Sequence, residues 1–336
     1  MSTQVETTEV PDAGDDGSTS FRNGALRVLG SWRLAGIAIP FLILFITLSI
    51  WSGPFFSKTN LINILDQQSS YLVIAAAGTL VLVAGGLDLS VGAIYGLAAV
   101  VSGELASHHS PFIAIGGALL VGLIAGLVNG CIVAFLKINP LIATLAMSFV
   151  IGGVALRVSN NNLIVLSQNS GFYKFANVEL WSVPSAVWIV LVFIIILSFL
   201  LAKTTFGRRV IASGGNAEAA RLAGIRVNQI RIITYALSGL AAGLGGVIDT
   251  SRLLSAQATG VPNLTFIVLA GIVVGGTSIA GGEGSVPRTT IGVLFIALIG
   301  NGIDLLNINQ LYQQIVLGLI LLIAVSIDVW ARKRRR

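Results

Sequence analysis

The chain of 336 residues is 55% hydrophobic and only 10% charged, with a mean hydropathy of +0.91, whereas a soluble domain usually contains about 25% charged residues. This composition excludes an ordinary soluble domain and indicates an integral membrane protein. The net charge of +6 does not indicate nucleic-acid binding, because the basic residues are scattered between apolar runs and clustered at the end of the chain.

The first 30 residues are acidic and rich in Gly, Ser and Thr, which is the composition of a segment that cannot pack a core. We therefore expect residues 1–30 to form a disordered cytoplasmic tail. Its leading residues are acidic, so a cleaved signal peptide is not expected.

The apolar runs that follow predict membrane spans, because about 20 apolar residues cross the hydrocarbon core. The window finds about ten: residues 34–51, 71–84, 91–107, 111–135, 141–156, 186–202, 230–248, 264–274, 289–305 and 313–330. The second and the eighth are short. The predicted fold is thus all-α, a polytopic helical bundle with about ten transmembrane helices.

The lysines and arginines predict the orientation of this bundle. With ten spans and both termini in the cytoplasm, 16 of the 20 lie inside, and the four outside are Lys58, Arg157, Lys174 and Arg252. An odd number of spans would place either the basic loop near residues 203–231 or the terminal cluster on the wrong side. Residues 332–336 are therefore predicted to be a basic cytoplasmic tail.

Residues that could carry chemistry are few. Cys131 is the only cysteine, His108 and His109 are the only histidines, and no glycine precedes a lysine, so the GxxxxGK phosphate-binding motif is absent. We expect no metal site, no cofactor and no enzymatic activity. Uphill transport would then draw its energy from a partner or from an ion.

Polar residues in the spans are mostly uncharged. Asp88, Asp249, Asp304 and Asp328 lie near predicted span ends, where we expect them to reach water. The uncharged groups are Asn129, Thr144, Ser148 and Asn301, with a polar cluster at residues 67–70. They suit a neutral, hydroxyl-rich solute, and the alternative is that they join helices by hydrogen bonds.

Two glycine-rich segments interrupt apolar runs, at residues 84–92 and 275–284. Glycine permits positive φ, and Asp88 and Ser90 are placed to cap a following helix. We interpret the segments as broken helices that mark a translocation path or hinge, with tight cytoplasmic turns as the alternative. The candidate path or hinge residues are Gly85, Gly86, Asp88, Ser90, Asn129, Thr144, Gly275, Gly276 and Thr277.

Two connections are longer than turns. The outer one, residues 157–184, is long enough to hold a short helix. In the inner one, residues 203–229, Asn216 can cap a helix over residues 217–223 that Gly224 ends. Such a helix is a candidate docking element, and a helix lying on the headgroups is the alternative. The candidate coupling residues are Gly214, Gly215, Asn216, Glu218, Ala219, Ala220, Arg221 and Gly224.

Several separate blocks occur in an order that resembles one transporter family. Residues 55–63, 85–92, 139–145, 214–225, 255–257 and 275–282 are similar to the ribose-type permeases of bacterial ATP-binding cassette importers, which have branched-chain amino acid permeases as more distant relatives. The resemblance implies a permease domain at residues 31–331, with its coupling loop at 203–229, in the bacterial plasma membrane.

The same resemblance implies partners. They are a second permease copy or a sister permease, a cytoplasmic ATP-binding subunit with two nucleotide-binding halves, an external sugar-binding protein, membrane lipid and a monosaccharide substrate. A self-contained secondary carrier is the alternative, and it usually needs a membrane-buried charge. Many ribose-type members have acidic residues before the second glycine break, where this chain has residues 264–267 as Leu, Thr, Phe and Ile, and Arg288 follows the break. This departure leaves the sugar open.

Overall fold

The computed structural model describes residues 36–167, 171–260 and 263–333. These ranges contain fourteen α-helices: α1 Gly36–Trp51, α2 Lys58–Gln67, α3 Ser69–Val83, α4 Val91–His108, α5 Pro111–Phe135, α6 Pro140–Val158, α7 Lys174–Asn177, α8 Ser185–Lys203, α9 Thr205–Gly215, α10 Ala217–Leu222, α11 Val227–Leu253, α12 Leu264–Val274, α13 Val286–Leu305 and α14 Leu311–Lys333. Four two-residue strands accompany them: β1 Ile164–Val165, β2 Glu179–Leu180, β3 Val183–Pro184 and β4 Ser255–Ala256.

The all-helical prediction is confirmed. Five helices, α5, α6, α8, α11 and α13, are long and apolar enough to cross a membrane, and α1, α3, α12 and the apolar part of α14 are shorter. The predicted spans 111–135 and 264–274 agree with α5 and α12 at both ends. The predicted acidic tail and residues 334–336 lie outside the described residues, and α14 continues to Lys333, so the predicted basic tail begins inside a helix.

Helix α3 lies at the centre of the bundle. It is apolar on every side, as expected of a helix surrounded by protein, and 13 of its 15 residues are buried. Helices α8, α11, α12 and α13 pack around it. The small residues of its middle turns, Ala75, Ala76 and Ala77, let these neighbours approach closely.

Helices α5 and α11 pack together through glycine. A Cβ at Gly126 would lie 3.0 Å from the Cα of Gly239, and one at Gly122 would lie 3.0 Å from the Cα of Gly243. Glycine rows of this kind let helix backbones approach closely, and here the two rows lie against each other.

The bundle has two distinct ends. At one end, called the α9–α10 end, helices α5 and α8 finish and α6 and α11 begin. At the other, called the β1–β4 end, antiparallel β1 and β4 join the exits of α6 and α11 with Ile164 opposite Ala256. Helix α7 lies at the β1–β4 end, inside the outer connection that was predicted to hold a short helix.

Helix α12 is too short to cross a bilayer by itself. Its 11 residues rise about 16 Å, roughly half of the ~30 Å hydrocarbon core. The chain before it runs back along α4: a Cβ at Gly103 would contact the Ala256 side chain at 3.1 Å, and the Gly92 N–H donates to Thr265 Oγ1 at 3.2 Å. Ala256 before the helix and Thr265 at its start therefore both lie against α4.

Candidate functional site

The first glycine break, between α3 and α4, reaches deep into the bundle. The side chain of Asp88 in this break accepts a hydrogen bond from Ser238 Oγ at 2.9 Å. Ser238 is 11 residues beyond Val227, the first residue of α11, which corresponds to about 16 Å along the helix. The connection between α3 and α4 is therefore recessed into the bundle at Asp88.

Polar side chains around Asp88 bind one another. Asp88 Oδ1 accepts from the Ser90 N–H at 3.0 Å and from Ser90 Oγ at 2.6 Å, and Asn129 Nδ2 donates to Ser90 Oγ at 2.6 Å. Ser90 precedes α4 but makes no side-chain cap. The prediction that Ser90 caps this helix is therefore wrong, because its hydroxyl is already bound to Asp88.

Two further side chains hold the backbone of the break. Thr144 Oγ1 accepts from the Leu89 N–H at 3.0 Å, while the Tyr235 hydroxyl donates to the Leu87 carbonyl at 2.9 Å and accepts from the Leu87 N–H at 3.2 Å. Irregular backbone inside a membrane protein persists only where such partners satisfy it. Tyr235 and Ser238 were missed by the sequence analysis, because nothing in the α11 sequence marks them.

The predicted path residues Asp88, Ser90, Asn129 and Thr144 thus come together as a hydrogen-bonded brace. The adjacent space between α3 and α12 has a volume of only about 20 Å³ and is lined mainly by apolar side chains such as Val81, Leu82, Val268 and Ile272. The polar groups of the brace are directed at one another and at the loop backbone. The role of these residues in a path or a hinge stays a prediction.

The second glycine break, between α12 and α13, packs against the start of α13. A Cβ at Gly275 would lie 2.7 Å from the Cα of Thr289, and Gly276 has φ +79°. The hydroxyl of Thr289 lies 3.4 Å from that of Thr277 and accepts from Thr79 of α3 at 2.8 Å. The second break is therefore tied to both α3 and α13.

The two glycine breaks meet each other and the end of α9. A Cβ at Gly281 would lie 2.8 Å from the Cα of Gly85, one at Gly282 would lie 2.7 Å from the Cα of Gly215, and the Gly282 N–H donates to the last carbonyl of α3 at 2.8 Å. A Cβ at Gly214 would overlap the same carbonyl. We call this contact the glycine junction: Gly85, Gly214, Gly215, Gly281 and Gly282.

Helix α10 follows the glycine junction directly. Asn216 Oδ1 accepts from the N–H groups of Glu218 and Ala219, both at 3.0 Å, and Gly224 has φ +81° just after the helix. The predicted N-cap and the predicted glycine stop are both confirmed. Helix α9 was missed, although Thr204 caps it by accepting from the Gly207 N–H at 3.2 Å.

The candidate coupling residues do not share one environment. Glu218, Ala219 and Arg221 are exposed, whereas Ala220 is 5% exposed and anchors α10 to the bundle. Leu222, which the candidate set omits, is 87% exposed. A single exposed leucine is common on protein surfaces and does not by itself mark a contact.

The β1–β4 end holds a buried charged group. Asp249 is 3% exposed, accepts from the Tyr95 hydroxyl at 2.7 Å and from Arg252 at 3.0 Å, and Arg252 lies 3.8 Å from Asp66. The expectation that Asp249 reaches water at a span end is wrong, because these partners compensate its burial. Asp304 is exposed, as expected.

Comparison with known proteins decides the family. Residues 60–325 match the family described as the permease component of the branched-chain amino acid transport system. The chain belongs to this family. It is a multi-pass membrane permease and not itself an enzyme, so the resemblance found in the sequence is confirmed.

Curated relatives match almost the whole permease. The ribose import permease protein RbsC of Escherichia coli K12 is 38% identical over 298 residues, which cover 86% of this chain and 92% of the relative. RbsC of Bacillus subtilis 168 is 41% identical over 295 residues, which cover 86% of this chain and 91% of the relative. The L-arabinose permease AraH of Azospirillum brasilense is 36% identical over 311 residues, covering 91% of each chain.

A solved structure supports the fold of the permease. It is described as an inward-facing conformation of a metal-chelate type ABC transporter, and it matches with a TM-score of 0.54 at 14% identity, covering 89% of this chain and 98% of that one. At this identity the match bears on the fold and not on the substrate.

Proposed function

We propose that this permease forms the translocation path of an ATP-driven monosaccharide importer for a ribose- or arabinose-like sugar. The observation that carries the proposal is similarity of 35–41% identity over 86–91% of the chain to permeases named for ribose and L-arabinose import. The permease works with a second permease copy, a cytoplasmic ATP-binding subunit with two nucleotide-binding halves and an external sugar-binding protein.

In this proposal, the exposed face of α10 docks on the ATP-binding subunit. Glu218, Arg221 and Leu222 offer charge and apolar surface, while buried Ala220 and the Asn216 cap fix the helix on the bundle. The glycine junction then carries movement of α9 and α10 to both glycine breaks, since all three segments touch there.

The proposal also includes ten crossings with the α9–α10 end in the cytoplasm. The crossings are made by α1, α3, α4, α5, α6, α8, α11, α12, α13 and α14. Among residues 36–326 of the described chain, eight lysines and arginines lie at the α9–α10 end and four at the β1–β4 end, and this excess supports the orientation. The eight are Lys137, Lys203, Arg208, Arg209, Arg221, Arg226, Arg231 and Arg288.

Uptake of labelled D-ribose by cells that contain the whole transport system tests the function. We expect Glu218→Ala and Arg221→Ala to abolish ATP-dependent uptake while the protein stays inserted and abundant, because they remove the docking contact. Lys137→Ala is the matched control, since Lys137 is exposed at the same end but lies outside α10.

Two results would contradict the proposal. Normal uptake by both α10 variants would remove the docking role. Concentration of ribose by the purified permease in vesicles, without nucleotide or partner subunits, would replace the importer with a self-contained carrier.

A further inference from the structure

A polar cavity lies at the β1–β4 end, away from the brace around Asp88. It has a volume of about 120 Å³ and is partly open to solvent, which gives room for several water molecules or one small polar molecule. Five helices form its wall: α2, α3, α12, α13 and α14. Its polar lining consists of Gln67, Gln68, Tyr71, Asn301, Asp304 and Gln313.

Most of these polar groups have no partner. Within the described part of the chain, the side-chain amides of Gln67, Gln68 and Gln313 and the hydroxyl of Tyr71 make no hydrogen bond. Polar groups inside a bundle normally find a partner. Gln68, Tyr71 and Gln313 are half-buried and Gln67 is exposed, so water or a polar ligand in the cavity can supply the missing partners.

Hydrogen bonds join two of the helices in the cavity wall. Asn301 of α13 and Asn60 of α2 exchange two amide hydrogen bonds, at 2.9 and 3.1 Å, and Gln310 donates to Asp304 at 3.0 Å. These contacts hold α2 and α13 together beside the free amides. The cavity is therefore a formed site rather than a gap between loosely placed helices.

The lining indicates the chemical class of the ligand. Amides and a phenol both donate and accept hydrogen bonds, and Asp304 adds an acceptor at the rim. Among the side chains that the structure describes, no lysine or arginine lines the cavity. Ile64, Ile267 and Ile296 supply an apolar surface for C–H groups. A neutral polyhydroxylated molecule matches this combination, whereas an anion would face acceptors without a cation.

We propose that this cavity binds the monosaccharide during its passage through the outer half of the permease. The inference rests on the proposed function, which supplies the sugar, and it places the contact on the amides of Gln67, Gln68 and Gln313 and on the hydroxyl of Tyr71. The site binds weakly, since its groups are few and partly hydrated, and it passes the sugar on.

A cysteine-protection experiment tests the site directly. Cys131, the only native thiol, is replaced by alanine, and Gln313→Cys is introduced in the complete transport system. A membrane-impermeant thiol reagent added to intact cells should modify position 313, and D-ribose or L-arabinose should slow the modification. Gln314→Cys is the matched control, since Gln314 follows on the same helix, is exposed and does not line the cavity.

Uptake gives a second readout. We expect Gln68→Ala combined with Gln313→Ala to slow ribose uptake about fivefold at saturating sugar, because each lost hydrogen bond is worth about 0.5–1.5 kcal/mol. Gln314→Ala should leave uptake unchanged. Protection by only one of the two sugars would still support the site and would identify its ligand.

The outcomes separate this inference from the proposed function. If wild type takes up neither sugar in an ATP-dependent way, the proposed function fails. If wild type transports normally but sugar does not protect position 313 and the alanine pair behaves like the control, the cavity proposal fails. A cysteine at 313 that is unreactive without sugar would show that lipid or a second copy fills the cavity, which also overturns it. Reaction only in inside-out vesicles would reverse the proposed orientation.

Discussion

The glycine junction and the polar cavity differ in how completely they are filled. At the glycine junction, backbone meets backbone, and even one added methyl group would clash at Gly214. In the cavity, three glutamine amides and a tyrosine hydroxyl have no partner in the described residues. The close packing of the glycine junction fits the proposed transmission of movement, and the open polar space of the cavity fits the proposed contact with sugar.

The largest expected effect tests the close packing of the glycine junction. Gly214→Ala should reduce uptake at least about tenfold, because its Cβ would overlap the last carbonyl of α3 and force the segments apart. Gly215→Ala is the control, since its Cβ would lie 4.0 Å from the Cα of Gly282, an ordinary contact. Equal uptake by the two variants, measured with labelled ribose, would show that the junction does not carry the coupling.

A second prediction compares packed and open positions on one helix, α13. Gly292→Ala should lower the free energy of unfolding by about 3 kcal/mol, because its Cβ would lie 2.6 Å from the Gly275 nitrogen. Gly300→Ala should change it by less than about 1 kcal/mol, since the Cβ would meet only the flexible end of Gln313 at 2.8 Å beside the cavity. Thermal unfolding of the purified protein in detergent measures both. Similar losses would mean that the cavity is as tightly filled as the contact between Gly292 and Gly275.

The smallest expected effect compares two carboxyl groups. Asp88→Ala should cost about 2 kcal/mol of unfolding free energy, because the Ser90 N–H and the Ser238 hydroxyl lose their acceptor. Asp304→Ala should cost less than about 0.5 kcal/mol, as is usual for an exposed side chain. Asp88→Asn should restore most of the loss, since its oxygen can still accept from Ser90. A melting temperature for Asp88→Ala equal to that of Asp304→Ala would rule out the brace.

Hydropathy was sufficient to predict the long helices. The bounds of α5 and α12 follow from apolar runs that end at polar or glycine residues, and the Asn216 cap follows from local chemistry. Helices α2 and α9 were missed because short amphipathic helices do not fill a 20-residue window.

Contacts between distant segments were beyond the sequence analysis. Nothing local in the sequence indicates that Gly85 contacts Gly281. Nor does it indicate that Tyr95 and Arg252 donate hydrogen bonds to the buried Asp249 carboxylate. The polar cluster at residues 67–70 was recognised as unusual. Its role as one wall of a cavity depends on α13 and α14, more than 200 residues later in the chain.

Helix α12 connects the two contrasted regions. Ile267 near its start lines the cavity, and Gly275 at its end opens the segment that leads to the glycine junction. Eight residues, about 12 Å, separate them. A helix this short moves as a rigid unit. A tilt or slide imposed at Gly275 therefore also moves Ile267, and no relay of side chains is needed between them.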